Sequence, residues 1–220
     1  MATSTVENYL KTIYLEQERH PDSPVTTGRI AAALTVSPGT VTAMLKTLTE
    51  SGLVTYEPYA GAQLTEAGTR LARHVLRRHR LVELFLVRIM GMDWADVHAE
   101  AEVLEHVVSE RLIERIDTML GRPSVDPHGD PIPTADGIIE TAEYPSLLRC
   151  QVGAPLRVTR VIDQRAGFLQ LLERHGLTPG RELSVATRDE LAGTVEVRPV
   201  GGEAFQLGRE AASRVLVEPL

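Results

Sequence analysis

The stretch Val97–Glu110, VHAEAEVLEHVVSE, carries His98, Glu102, Glu105 and His106, residue types that can ligate a metal ion or handle a proton. On a helix advancing about 100° per residue these four side chains fall within an arc of roughly 100°. Val97, Ala101, Leu104 and Val108 gather on the adjoining arc. A surface helix keeps its ionisable groups away from the core face, so carboxylates and imidazoles along the core edge need compensating positive charge. A divalent cation would supply it. A solvated acidic face with two incidental histidines is the other reading, because Glu is a good helix former. Residues elsewhere must decide.

The elements that would position this stripe belong to a folded chain. Its 220 residues with 43% hydrophobic content suffice for one large domain or two ordinary ones. No run approaches the roughly 18 apolar residues of a membrane span. The start, MATSTVENYL, lacks the basic and apolar parts of a secretory signal, so a cytoplasmic location is expected. The single cysteine, Cys150, has no internal partner, which fits a reducing compartment. The net charge of −7 is unevenly spread: residues 1–80 carry 9 Lys or Arg against 7 Asp or Glu, leaving −9 for the rest. The basic part comes first, where a polyanion would be met.

That part reads as three helices and a hairpin. Val6, Leu10, Ile13 and Tyr14 give a first amphipathic helix from about Thr5 to Arg19, ended by HPDSPV. TTGRIAAAL follows with Thr26 or Thr27 as N-cap, then the turn TVSPG and a third helix, GTVTAMLKTLTESG, with Val41, Leu45 and Leu48 inward and Gly52 as C-cap. LVTYEPYAGAQLT reads as strand, loop, strand. A helix-turn-helix followed by a hairpin predicts a winged helix whose third helix enters the major groove of double-stranded DNA. Ser37, Pro38, Thr40 and Thr42 stand at its leading end, Lys46 can reach a phosphate, and Thr27 opens the preceding helix. A winged helix used for protein contacts is the alternative.

A long helix is then expected from Thr65 to Gly91, placing His79 and Glu83 one turn apart. Asp93 can cap a further helix that carries the stripe and continues through RLIERIDTML to Gly121. Long apolar-rich helices after a winged helix suit a homodimer, and two-fold symmetry suits a palindromic operator. The segment PHGDPIPTADG reads as a linker. Beyond it LRVTRVI, ELSVATR, TVEVRPV and RVLVEPL are short strands, with one helix in FLQLLERHG, which predicts a small all-β barrel. The fold class expected is a mainly α winged helix-turn-helix plus helical domain, followed by that barrel, with domains at 1–72, 73–137 and 145–220.

Taken in order, VENYLKTIY, VSPGTVTAMLKTLTESGLV, RRHRLVELFL, VHAEAEVLEH and DPHGDPIP resemble the diphtheria toxin repressor family of metal-dependent regulators. The resemblance covers residues 5 to about 135 closely, and the barrel resembles the SH3-like domain appended to many members. It implies one metal site of Glu102, Glu105 and His106, completed from the first helix at the position of Asn8. It implies a neighbouring site of His79, Glu83 and His98, joined by Asp126 and His128 of the PHG loop and by Asp163 from the barrel. It also implies a corepressor mechanism, in which metal fixes the spacing of two recognition helices and so permits operator binding. Asn8 departs from the pattern, since relatives carry a carboxylate or thioether there.

The candidate ligands are carboxylate, imidazole and amide, with no sulfur. Oxygen-rich sites suit Mn(II), and His with carboxylate also suits Fe(II). Iron-tuned members often carry cysteine where Glu102 stands, so Mn(II) is favoured, with Zn(II), Co(II) or Cd(II) able to substitute in vitro. The chain is not expected to be an enzyme. A metallohydrolase could use the same His and Glu stripe but gives no reason for a winged helix. A metal-independent winged-helix sensor of a small ligand leaves the histidines and glutamates without a purpose.

Overall fold

The computed structural model describes residues 3–140 and 142–220; the first two residues of MATSTVENYL lie outside them. The chain divides into two compact units. One holds the chain up to His79 with Leu104–Val108 and Pro133–Ile138; the other holds Arg80–Val103, Ser109–Ile132 and Ile139–Leu220.

The first unit is a winged helix. Helix α1 (Ser4–Arg19) is capped by Thr3, whose hydroxyl accepts from Val6 N at 3.3 Å. Helix α2 (Thr27–Leu34) takes Thr26 as its N-cap and ends in a left-handed Thr35. Helix α3 (Pro38–Glu50) starts at Ser37 with Pro38 at its first position, where the missing N–H costs no hydrogen bond. Strands β1 (Val54–Glu57) and β2 (Gly61–Leu64) pair antiparallel as the wing. Leu10, Ile13, Ile30, Val41, Leu45 and Leu48 are fully buried and form the floor on which α3 stands. The spacing read from sequence is the spacing that packs.

Helix α4 (Glu66–Arg88) is the long helix expected, and Gly91 follows it in a left-handed conformation. The next element differs from expectation. Helix α5 (Val97–Leu104) stops early and helix α6 (Glu110–Met119) starts afresh, so Glu105 and His106 sit in a turn rather than on a continuous helix. Ser109 is the cause on the far side: its hydroxyl accepts from Leu112 N at 3.3 Å and caps α6. On the near side Val107 N and Val108 N both return to Leu104 O at 3.0 Å. Asp93 likewise caps a turn and not a helix, its Oδ1 accepting from Ala95 N at 2.8 Å.

In the second unit strands β3 (Leu156–Val161), β4 (Glu182–Asp189), β5 (Thr194–Pro199), β6 (Phe205–Gly208) and β7 (Val215–Pro219) form one antiparallel sheet in the order β6-β5-β4-β3-β7. Bulges interrupt the register at Val158/Arg160 and Val185/Thr187, where a sheet can bend. Helix α7 (Ala166–Arg174) buries Leu169 and Leu172 in the core, and a short α8 (Arg209–Ser213) precedes β7. Strand β6 and helix α8 had no signal of their own, because FQLG is short and follows a Gly-rich turn. The expected linker is a further correction. Asp126, His128, Asp130 and Ile132 are buried, since the loop's amides find partners inside the protein.

Candidate metal centre

In the first unit α1 brings Glu7, Asn8 and Lys11 onto one face at helical spacing, toward the turn at Leu104–Val108. His106 stands between two of them, its Nδ1 2.6 Å from Glu7 Oε2 and its Nε2 2.7 Å from Asn8 Oδ1. Two donors sharing an ion at about 2.1 Å and a right angle lie about 3 Å apart, close to the Asn8 to His106 separation. Glu105 is fully buried; Lys11 Nζ donates to its Oε1 at 2.6 Å and His79 Nδ1 lies 2.5 Å from its Oε2. Arg78 donates to Glu7 Oε1 at 2.7 Å. Sequence reasoning found Asn8, Glu105 and His106 but missed Glu7 and Lys11. The signal was their i, i+4 spacing around Asn8. His79, expected with Glu83 and His98, lies against Glu105 in this unit.

In the second unit Glu83, Asp126 and His128 converge, each offering one donor atom within 4.8 Å of the others, and all three are buried. His128 is fully buried, and its Nε2 is 2.9 Å from Trp94 O, whose ring stacks on the imidazole at 5.5 Å between centroids. A backbone carbonyl there fixes the tautomer with the proton on Nε2. His128 Nδ1 is then left without a hydrogen-bond partner among the described residues. It faces Glu83 Oε2 at 3.8 Å and Asp126 Oδ1 at 4.0 Å, too far for hydrogen bonds.

Asp126 Oδ1 also accepts from His128 N at 2.8 Å and Asp130 N at 2.9 Å, which shapes the loop. Burial pushes the Asp126 carboxyl well above the usual carboxylate range, neighbouring Asp130 and Glu83 push it further, and Arg80 and the backbone amide of Asp130 oppose them. Excess negative charge around an orphaned imidazole nitrogen is a donor set that fits a divalent cation. His98, half exposed, meets Glu83 Oε1 at 3.2 Å and Glu102 Oε1 at 3.6 Å. Asp163 is turned to other partners: the Arg165 guanidinium donates to Oδ1 at 3.0 Å and to Oδ2 at 2.6 Å, and Arg214 lies 3.6 Å away. Gln164 donates to Asp130 Oδ2 at 2.7 Å. Trp94 and Asp130 were missed, and a lone Trp in a polar stretch offered no pattern to find it.

On α3 the residues expected to meet DNA stand at the leading end. Ser37 Oγ accepts from Thr40 N at 3.1 Å and lies 2.8 Å from Thr40 Oγ1, while Thr42 Oγ1 donates to Pro38 O at 3.0 Å. Ser37, Pro38, Thr40 and Lys46 are exposed, and Thr27 and Thr42 are half-buried. The wing tip presents Tyr59, fully exposed and with φ of 68°.

Comparison with known proteins matches three successive parts of the chain. Residues 1–62 match the iron-dependent repressor N-terminal DNA-binding domain, 65–134 the iron-dependent repressor metal-binding and dimerisation domain, and 146–219 the FeoA domain, an SH3-like fold. The iron-dependent repressor IdeR of Mycobacterium tuberculosis is 33% identical over an alignment of 229 positions, covering 97% of this chain and 96% of the relative. The diphtheria toxin repressor of Corynebacterium efficiens is 33% identical, covering 90% and 96%. A solved manganese-dependent transcriptional repressor in complex with manganese superposes with a TM-score of 0.87 at 40% identity, covering 98% of this chain and 100% of that one. With relatives matched along nearly their whole length and each part in the same order, the chain belongs to the diphtheria toxin repressor family of metal-dependent transcriptional regulators.

Proposed function

We propose that this protein is a metal-dependent DNA-binding repressor of metal-ion homeostasis. It works in the cytoplasm as a homodimer on a palindromic operator, with Mn(II) as the favoured corepressor and Fe(II) as the alternative. The observation that carries the metal reading is His128 Nδ1, buried and without a hydrogen-bond partner among the described residues, facing the carboxylates of Glu83 and Asp126. Asn8, Glu105 and His106 are the donors proposed beside α1; Glu83, Asp126 and His128, with His98, are those proposed around the loop. His79, 2.5 Å from Glu105 Oε2, and Glu102, 3.6 Å from His98 Nε2, stay candidate donors. Asp163 is left out of the set because Arg165 and Arg214 hold its carboxylate.

The chemistry a divalent ion supplies here is charge neutralisation and a fixed angle between ligands. The protein's own residues do the rest. Asn8 lies on α1, in the same winged helix that presents α3, so whatever fixes Asn8 against His106 also fixes the base on which the recognition helix stands. Ser37, Thr40 and Thr42 then offer hydroxyls at the leading end of that helix, and Lys46 a phosphate contact. The donors contain no thiolate, which suits Mn(II) over softer ions.

Calorimetric titration with MnCl2 tests the assignment. His128→Leu and Glu105→Gln should each remove one binding event. Wild-type enthalpograms from both variants would overturn it.

A further inference from the structure

Resting on the reading of Glu105 as a metal ligand, we infer that Lys11 is a tethered cation. It holds Glu105 in the metal-free chain and competes with the metal for the same oxygen. Lys11 and Glu105 are among the most enclosed charges in the first unit, their side chains 7% and 0% exposed. Burial of either charge is costly without the other, so the pair forms whenever no stronger cation is present.

The particular oxygen matters. Glu105 Oε1 receives the Lys11 ammonium at 2.6 Å and also faces His106 Nε2 at 3.4 Å. The oxygen that would share an ion with His106 is therefore the one the ammonium already holds. The other, Oε2, lies against His79. A divalent ion entering between Glu105 and His106 meets a positive charge at contact distance, and that charge must swing aside or be repelled.

Two consequences follow from one residue. Lys11 raises the metal concentration needed to load the site. It also ties α1 to the turn at Glu105 when metal is scarce, so the first helix is ordered before metal arrives. Lys11 is one turn beyond Glu7 and three residues beyond Asn8, on the face of α1 that carries the metal-facing side chains. Metal affinity is set here by a competitor on the same helix as a ligand.

Lys11→Gln keeps a hydrogen-bond donor without the charge, and Lys11→Met keeps the length without either. Isothermal titration with MnCl2 should show, for the binding event that Glu105→Gln removes, at least about tenfold tighter binding in both variants. Hydrogen exchange of α1 amides in the metal-free protein should speed up in both. Folded Lys11→Gln with unchanged or weaker Mn(II) binding overturns the inference, as does unchanged α1 exchange. If Glu105→Gln binds Mn(II) as wild type does, Glu105 is not a ligand and the underlying assignment fails whatever the Lys11 variants do.

Discussion

Gly129 gives the sharpest test of how the loop that carries Asp126 and His128 is held. Its φ is +87°, and a Cβ added there would lie 1.9 Å from Thr159 O and 2.7 Å from the Arg160 Cα of strand β3. The left-handed backbone costs alanine about 1 kcal/mol relative to glycine. The clash is with strand backbone, which cannot rotate away. Relief must lift the loop and stretch the Val161 N to His128 O hydrogen bond of 2.8 Å, a loss of about 1 kcal/mol, and disturb packing worth about 1–3 kcal/mol. Gly129→Ala should therefore destabilise by about 3–5 kcal/mol. Gly153, with φ of +78° and nothing among the described residues within 4 Å of its added Cβ, isolates the backbone cost. In a chain of this size each kcal/mol moves Tm by about 2–4 °C. Thermal denaturation followed by circular dichroism should thus show a fall of about 10 °C for Gly129→Ala and about 3 °C for Gly153→Ala. Equal small shifts would refute the close approach of loop and strand.

Asp163 gives a pH-dependent counterpart: hydrogen bonds from Arg165 hold its carboxyl below the usual range. A lowered folded pKa contributes stability above the unfolded value, near 4, which is lost as pH falls through the folded one. Asp163→Asn should cost about 1 kcal/mol at pH 7, and its deficit should vanish on acidification in parallel urea titrations. Its Mn(II) stoichiometry should match wild type. Tyr59 occupies the third position of the turn Glu57–Ala60 after Pro58, with φ of 68° that Asn or Gly tolerates better. Tyr59→Asn should raise stability by about 0.5–1 kcal/mol in chemical denaturation. Lys46 is exposed on α3, so Lys46→Ala should weaken DNA binding evenly across sequences and lower the salt slope by about one, read by fluorescence anisotropy.

Much of the fold was legible because it rests on local periodicity. Leu10 and Ile13, or Val41, Leu45 and Leu48, recur at helical spacing, and the structure buries them at that spacing. The break after α5 was hidden because Val107 and Val108 continue the apolar pattern, while Ser109 acts only through a cap visible once its hydroxyl meets Leu112 N. The loop at Asp126–Asp130 looked like a linker because Pro, Gly and Asp usually mark solvent-exposed turns. What buries it is long-range, a β3 amide on His128 O and a Trp94 carbonyl on His128 Nε2. Within the site, Asn8 and His106 could be named from resemblance, yet Lys11 could not. A lysine on an amphipathic helix reads as solvated until Glu105 is seen 94 residues away in sequence.

On the proposed function, metal controls DNA binding. Fluorescence anisotropy of a labelled promoter fragment, titrated with the protein in MnCl2 and again in excess chelator, tests it most directly. Binding should be at least about tenfold tighter with Mn(II), within the coupling range of about 1–3 kcal/mol usual for effectors. Equal affinity in chelator and in Mn(II) would contradict it.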